Sequence, residues 1–72
     1  MPIPYSGAQI IKALLKAGYY LVSQKGSHVK LRQDFPQKKT VIIPNHRVIA
    51  LGTFLSILKQ AGITRKEFEK FL

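Results

Sequence analysis

The chain contains no cysteine, which excludes disulfides and thiolate metal sites and leaves a small core to be held by packing alone. Acidic residues are nearly missing too: only Asp34, Glu67 and Glu69 are present, beside two histidines. That set falls short of the ligand count of a catalytic zinc, and Glu67 and Glu69, near the end of the chain, read as solvated helix positions, not as a magnesium pair. There is no G-x-S-x-G nucleophile elbow, phosphate loop or Gly-rich nucleotide loop, and no cofactor is expected. No apolar run approaches the roughly 20 residues of a membrane span, and Met1-Pro2-Ile3-Pro4 starts no segment of the signal-peptide kind. A cytoplasmic protein without membrane contact is the expectation. Internal repeats, low-complexity tracts and linkers are likewise absent.

What the chain does have is positive charge. Twelve Lys and Arg against three acids give a net charge of +9. An anionic partner is implied: nucleic acid first, a membrane surface second, an acidic protein third. Seventy-two residues make a single domain, residues 1–72, near the size at which only about 60% of the unfolded surface is buried. With 46% hydrophobic and 21% charged residues the composition is that of a globular chain.

Pro2 and Pro4 keep the first residues extended. Ser6 and Gln9 have the spacing of a capping box, which opens a helix with an expected buried stripe of Ala8, Ile11, Leu14 and Leu15; Gly18 stops it. Tyr19–Ser23 is rich in aromatic and β-branched residues and predicts a first strand. Lys25-Gly26 reads as a two-residue turn, with Gly26 supplying positive φ. A second strand runs to Arg32, Asp34–Lys38 carries turn chemistry, and Lys39–Ile43 is a third strand ended by Pro44. Asn45-His46-Arg47 is a loop, and the apolar stretch Val48–Leu51 is ambiguous. Gly52-Thr53 opens a second helix with an expected stripe of Phe54, Leu55, Leu58 and Ala61, closed by Gly62. Thr64 and Glu67 cap a short last helix that offers Phe68, Phe71 and Leu72 for packing. Three strands joined by short turns must form an antiparallel meander, with the helices on one face. The fold class is α+β, of order α-β-β-β-α plus a short C-terminal helix.

The chemistry concentrates in Lys25–Arg32. Read as a strand, Ser27, Val29 and Leu31 point to the core while His28, Lys30 and Arg32 point outward. RNA cleavage needs a base for the 2′-hydroxyl, an acid for the leaving oxygen, and cations for the charge that builds on phosphorus. His28 can fill either proton role. Lys30 and Arg32 supply charge and backbone grip, Lys as a point charge and Arg as a planar fork. The same pattern also fits an ordinary solvated histidine on a strand face. His46 is a candidate second proton-transfer group, at the same end of the sheet as Lys25, and Lys25, Ser27, Lys30, Arg32, His46 and Arg47 make up the expected RNA-binding set. Tyr5, Tyr19 and Tyr20 have rings that can stack on bases, though sheet or core packing accounts for them equally.

Gly18-Tyr19, then Gly26-Ser27-His28, then Ile43-Pro44-x-His46, then Gly52-Thr53-x-x-Ser56-Ile57-Leu58-Lys59-Gln60-Ala61-Gly62-Ile63 resembles the HicA toxins of bacterial and archaeal toxin-antitoxin systems. The likeness spans about Gln9 to Phe68. It implies a double-stranded-RNA-binding-domain-like fold and mRNA interferase activity independent of the ribosome, with the histidine of the Gly-Ser-His motif, His28, as the catalytic residue. It also implies a HicB antitoxin that covers the active face, and promoter DNA bound only through the toxin-antitoxin complex. The chain departs from the pattern in two ways: Leu55 stands where a basic residue is common, and Val48–Leu51 is apolar where polar residues are usual. A non-catalytic RNA-binding module using the same basic face is the competing expectation, and a protein-interaction domain with an acidic partner is a third.

Overall fold

The computed structural model describes residues 5–72. The extended conformation expected from Pro2 and Pro4 lies outside the described residues. In chain order the elements are α1 (Gly7–Lys16), β1 (Tyr20–Lys25), β2 (His28–Gln33), β3 (Lys39–Pro44), α2 (Leu51–Ala61) and α3 (Arg65–Glu69). The strands form one antiparallel sheet of order β1-β2-β3. This is the α-β-β-β-α meander with a short C-terminal helix that the turn spacing and the family resemblance imply.

The helix ends follow local chemistry. Ser6 and Gln9 form a complete capping box on α1, and Thr64 and Glu67 another on α3. In each, two otherwise unpaired backbone N–H groups find side-chain oxygens. Gly18 at φ 105° and Gly62 at φ 68° turn the chain out of α1 and α2, through a backbone region that a side chain would strain. α2 has no side-chain cap and begins at Leu51, not at Gly52-Thr53. The ambiguous stretch before it resolves into a short pairing: Ile49 is buried and bridges Tyr5, its N–H donating to the Tyr5 carbonyl at 2.8 Å.

Val29 and Leu31 of β2 and Val41 and Ile43 of β3 all face one core with Ile10, Ala13 and Leu14 of α1 and Phe54, Ile57 and Leu58 of α2. The helices therefore cover one sheet face and leave the other open. Beneath α2, the rings of Tyr5, Phe54 and Phe68 meet with centroids 5.1 to 5.4 Å apart, tilted or edge-on contacts that add to plain area burial. Buried Tyr19 donates its hydroxyl to the Ala61 carbonyl at 3.1 Å, and Lys39 Nζ donates to the same oxygen at 3.2 Å. Both hold the C-terminal end of α2 in place, the second directly from β3. Desolvation pushes the Tyr19 phenol above its ordinary value.

The α1 stripe differs in phase from the expected one, and the α2 stripe differs at one position. In α1 the buried residues are Gly7, Ile10, Ala13 and Leu14, while Ala8 and Leu15 are exposed and Ile11 is half-buried. The cause is Gly7: an added Cβ would lie 2.4 Å from the Pro44 carbonyl oxygen and 2.7 Å from Asn45 Cα. The helix is seated through this glycine, which turns Gly7, Ile10 and Leu14 inward and leaves the Ala8–Ile11–Leu15 edge beside β1 partly open. In α2, Ile57 takes the buried place expected of Leu55, which is exposed.

The Thr64–Glu67 box yields a pH signature. The Thr64 backbone N–H, first, and then its hydroxyl hold the Glu67 carboxyl below its ordinary 4.5. A depressed carboxylate contributes its stabilisation above the unfolded value and loses it as pH falls through the folded one. The Thr64 amide resonance should accordingly titrate with a midpoint below 4.5; a midpoint at or above that value would contradict the cap.

Candidate active site

The turn between β1 and β2 lies one residue later than expected. Lys25 pairs with His28, so the two central residues are Gly26 and Ser27, and Lys25 ends β1. Gly26 has φ 59° while Ser27 stays at negative φ, the pattern of a type II′ hairpin turn. Ser27 is therefore a half-buried turn residue and not part of the core-facing row. Its carbonyl accepts a hydrogen bond from the Asn45 N–H at 2.6 Å.

The turn puts Lys25 opposite His28, and a bulge then shifts the pairing farther along. Leu21 pairs with Leu31, but Ser23 pairs with Lys30, so Val22 is an extra residue in β1. Without it Tyr20 would stand opposite Gln33. With it Tyr20 stands opposite Arg32. Directly opposed residues of antiparallel strands share a face, with Cβ atoms about 5 Å apart. Three rows thus cross the open face: Lys25–His28–Pro44, Ser23–Lys30–Ile42 and Tyr20–Arg32–Thr40.

The first two rows enclose an open concavity of about 450 Å³ lined by Ser23, Lys25, His28, Lys30 and Ile42. His28 is exposed there, as required for a group that meets a ribose-phosphate chain. Ile42 is 48% exposed and forms an apolar floor beside two ammonium groups. Among the described residues the sole ion pair joins Arg65 to Glu69 on α3, at 3.7 Å. The cations of the open face keep their charge for an external anion. Arg32 is in the third row, its Nε donating to Thr40 Oγ1 at 3.3 Å, so the guanidinium is oriented by its neighbour.

His46 and Arg47 do not line this concavity. They are exposed on the loop that leaves the same end of the sheet. That loop is stitched down twice: the Asn45 N–H donates to Ser27, and the Gly7 N–H donates to the His46 carbonyl at 2.8 Å. The structure thus gathers Lys25, His28 and Lys30, sets Arg32 one row along, and leaves Ser27, His46 and Arg47 at the rim. Ser23 and Ile42 were not foreseen. Alternation of Val41, Ile42 and Ile43 was enough to find Ile42, whereas the place of Ser23 opposite Lys30 depends on the turn being Gly26-Ser27 and not Lys25-Gly26. Among the described residues no three His, Cys, Asp or Glu side chains gather into a metal-binding group, and no helix is long and apolar enough to cross a membrane.

A family model described as "HicA toxin of bacterial toxin-antitoxin" matches residues 7–63. The chain belongs to the HicA toxin family. The matched span takes in the sheet, the concavity and α2, and it ends before α3. Membership makes this a toxin-family protein of a toxin-antitoxin system and implies a HicB-type antitoxin as its partner. A search among curated proteins found no significant match.

The seating of α1 against the Pro44–Asn45 backbone can be checked. Gly7→Ala forces a methyl group into the Pro44–Asn45 backbone, which should cost about 2 kcal/mol or more and shift the amide resonances of Asn45, His46 and Ser27. An unchanged melting temperature and spectrum would contradict this anchoring.

Proposed function

We propose that this HicA-family chain is a metal-independent endoribonuclease that cuts mRNA in the cytoplasm, with His28 as general acid or base, and that an acidic HicB-type antitoxin restrains it. The observation that carries the proposal is the exposed imidazole of His28 sharing one concavity with Lys25 and Lys30. In the reaction the ribose 2′-oxygen attacks the adjacent phosphorus as its proton passes to a base. The bond to the next nucleotide's 5′-oxygen breaks, and that oxygen takes a proton from an acid, leaving a cyclic phosphate and a 5′-hydroxyl. An imidazole can serve at either end. Lys25 and Lys30 lie where they would offset the charge that gathers on the phosphoryl oxygens, and Arg32 would hold a neighbouring phosphate. His46, at the rim, is the candidate for the second proton transfer.

One observation favours the competing reading, a binding module without catalysis. His28 makes no side-chain hydrogen bond among the described residues, so no second group orients it, and a purely electrostatic RNA surface would look the same.

Cleavage of RNA in EDTA separates the two. Wild type should cut, and His28→Ala should lose at least about 100-fold in rate while still binding RNA. Equal cleavage by both proteins, or none by either, would overturn the nuclease proposal. Salt dependence tests the grip independently: Lys30→Ala should lower the slope of log affinity against log salt by about 1, and an unchanged slope would remove Lys30 from the phosphate contacts.

A further inference from the structure

Seven aromatic residues are present, three Tyr and four Phe, and most are committed to the core. Tyr5, Tyr19, Phe54 and Phe68 are buried, and Phe71 packs against them half-buried. Two are not. Tyr20 is 43% exposed and Phe35 is 82% exposed, and both sit at the end of the sheet away from His28. Tyr20 opens β1 and pairs with Arg32 in the third row. Phe35 is in the loop just after β2, next to Asp34. The Tyr20 hydroxyl lies 3.2 Å from each carboxylate oxygen of Asp34 and donates to that group. This bond anchors the ring by its far end and ties the Phe35 loop to the sheet. It also engages the carboxylate nearest this face, since the other two acids lie on α3.

Along β2, residues on one face repeat about every 7 Å. His28, Lys30 and Arg32 therefore form a line of three groups about 13 Å long, matched to successive phosphates of an extended strand. Tyr20 flanks the last of them. Exposed aromatic rings beside a line of cations are the elements from which sequence-tolerant binding of single strands is built: cations track the backbone, and rings stack on bases that are free of a partner. A duplex keeps its bases stacked inside and offers none to such a ring.

We propose that Tyr20, with Phe35 at its margin and Arg32 beside it in the same row, forms a base-stacking subsite for single-stranded RNA two backbone steps from His28. The subsite rests on the RNA reading of the open face and adds to it the class of substrate, an unpaired strand of at least three nucleotides, together with a residue that the Gly-Ser-His motif does not reach. Tyr20 acts in binding and is remote from the reacting atoms.

The test measures binding without cleavage. Fluorescently labelled 2′-O-methyl oligonucleotides, which lack the attacking hydroxyl, are titrated into the full chain and followed by anisotropy. Tyr20→Ala should weaken a hexanucleotide at least about 5-fold and leave a dinucleotide unchanged, whereas Tyr20→Phe should stay within about 2-fold of wild type, because stacking needs the ring and not its hydroxyl. Removal of single bases from the hexanucleotide makes the test independent of the variant's folding. With wild type one abasic position should show the same loss, and with Tyr20→Ala that position should become silent. Equal affinity for intact and abasic strands at every position, or an equal Tyr20→Ala loss on a duplex, would overturn the subsite. Weaker binding to a HicB-type antitoxin with unchanged RNA affinity would overturn it too and assign the patch to a protein. Failure of the nuclease proposal shows separately, as absent cleavage of unmodified RNA by wild type.

Discussion

The register of the β1–β2 hairpin is the constraint on which the rest depends. Side chains alternate along β2, so Val29 and Leu31 enter the core only if His28, Lys30 and Arg32 leave it. A slip of one residue would bury three polar groups and expose two apolar ones. Core packing and the chemistry of the open face are therefore settled by one choice of pairing. The Gly26-Ser27 turn begins that pairing and brings Lys25 level with His28, and the Val22 bulge shifts it so that Tyr20 stands level with Arg32.

The helices contribute by staying on the other side. α1 and α2 both pack on the face that carries Val29, Leu31, Val41 and Ile43, so no helix competes with a ligand for the open face. A core this small has no disulfide to support it, and it relies on the Tyr5–Phe54–Phe68 cluster and on capped helix ends. Gly7 links this scaffold to the site. Its lack of a side chain lets α1 press on the loop that carries His46, and its N–H holds that loop's carbonyl. Acids able to neutralise the open face are few, and two of the three lie on α3.

Much of this was readable from the residues. Capping boxes at Ser6 and Thr64, glycine stops at Gly18 and Gly62, and alternation through β2 and β3 fixed the element order, because each is a local rule with a local cause. The open face with His28, Lys30 and Arg32 followed from the same alternation. Other features failed to show because their causes are distant in sequence. The α1 stripe is set by contact with Pro44 and Asn45, more than thirty residues away, and not by α1's own hydrophobic pattern. Lys25 was read as a turn residue, since Lys25-Gly26 and Gly26-Ser27 each supply one glycine, and only the strand pairing places Gly26 first in the turn. The Tyr20–Asp34 bond joins two strands' ends across the sheet and has no short-range sign at all.

The central claim is that RNA lies along the open face of the sheet, over His28, with the helices turned away from it. Titration of isotopically labelled protein with an uncleavable single-stranded RNA, followed amide by amide in NMR spectra, tests it most directly. The account requires the largest shifts at Lys25, His28, Lys30, Arg32 and Ile42, with α1 and α2 nearly silent. Shifts concentrated on the exposed flank of α1 or α2, with β2 unmoved, would contradict it.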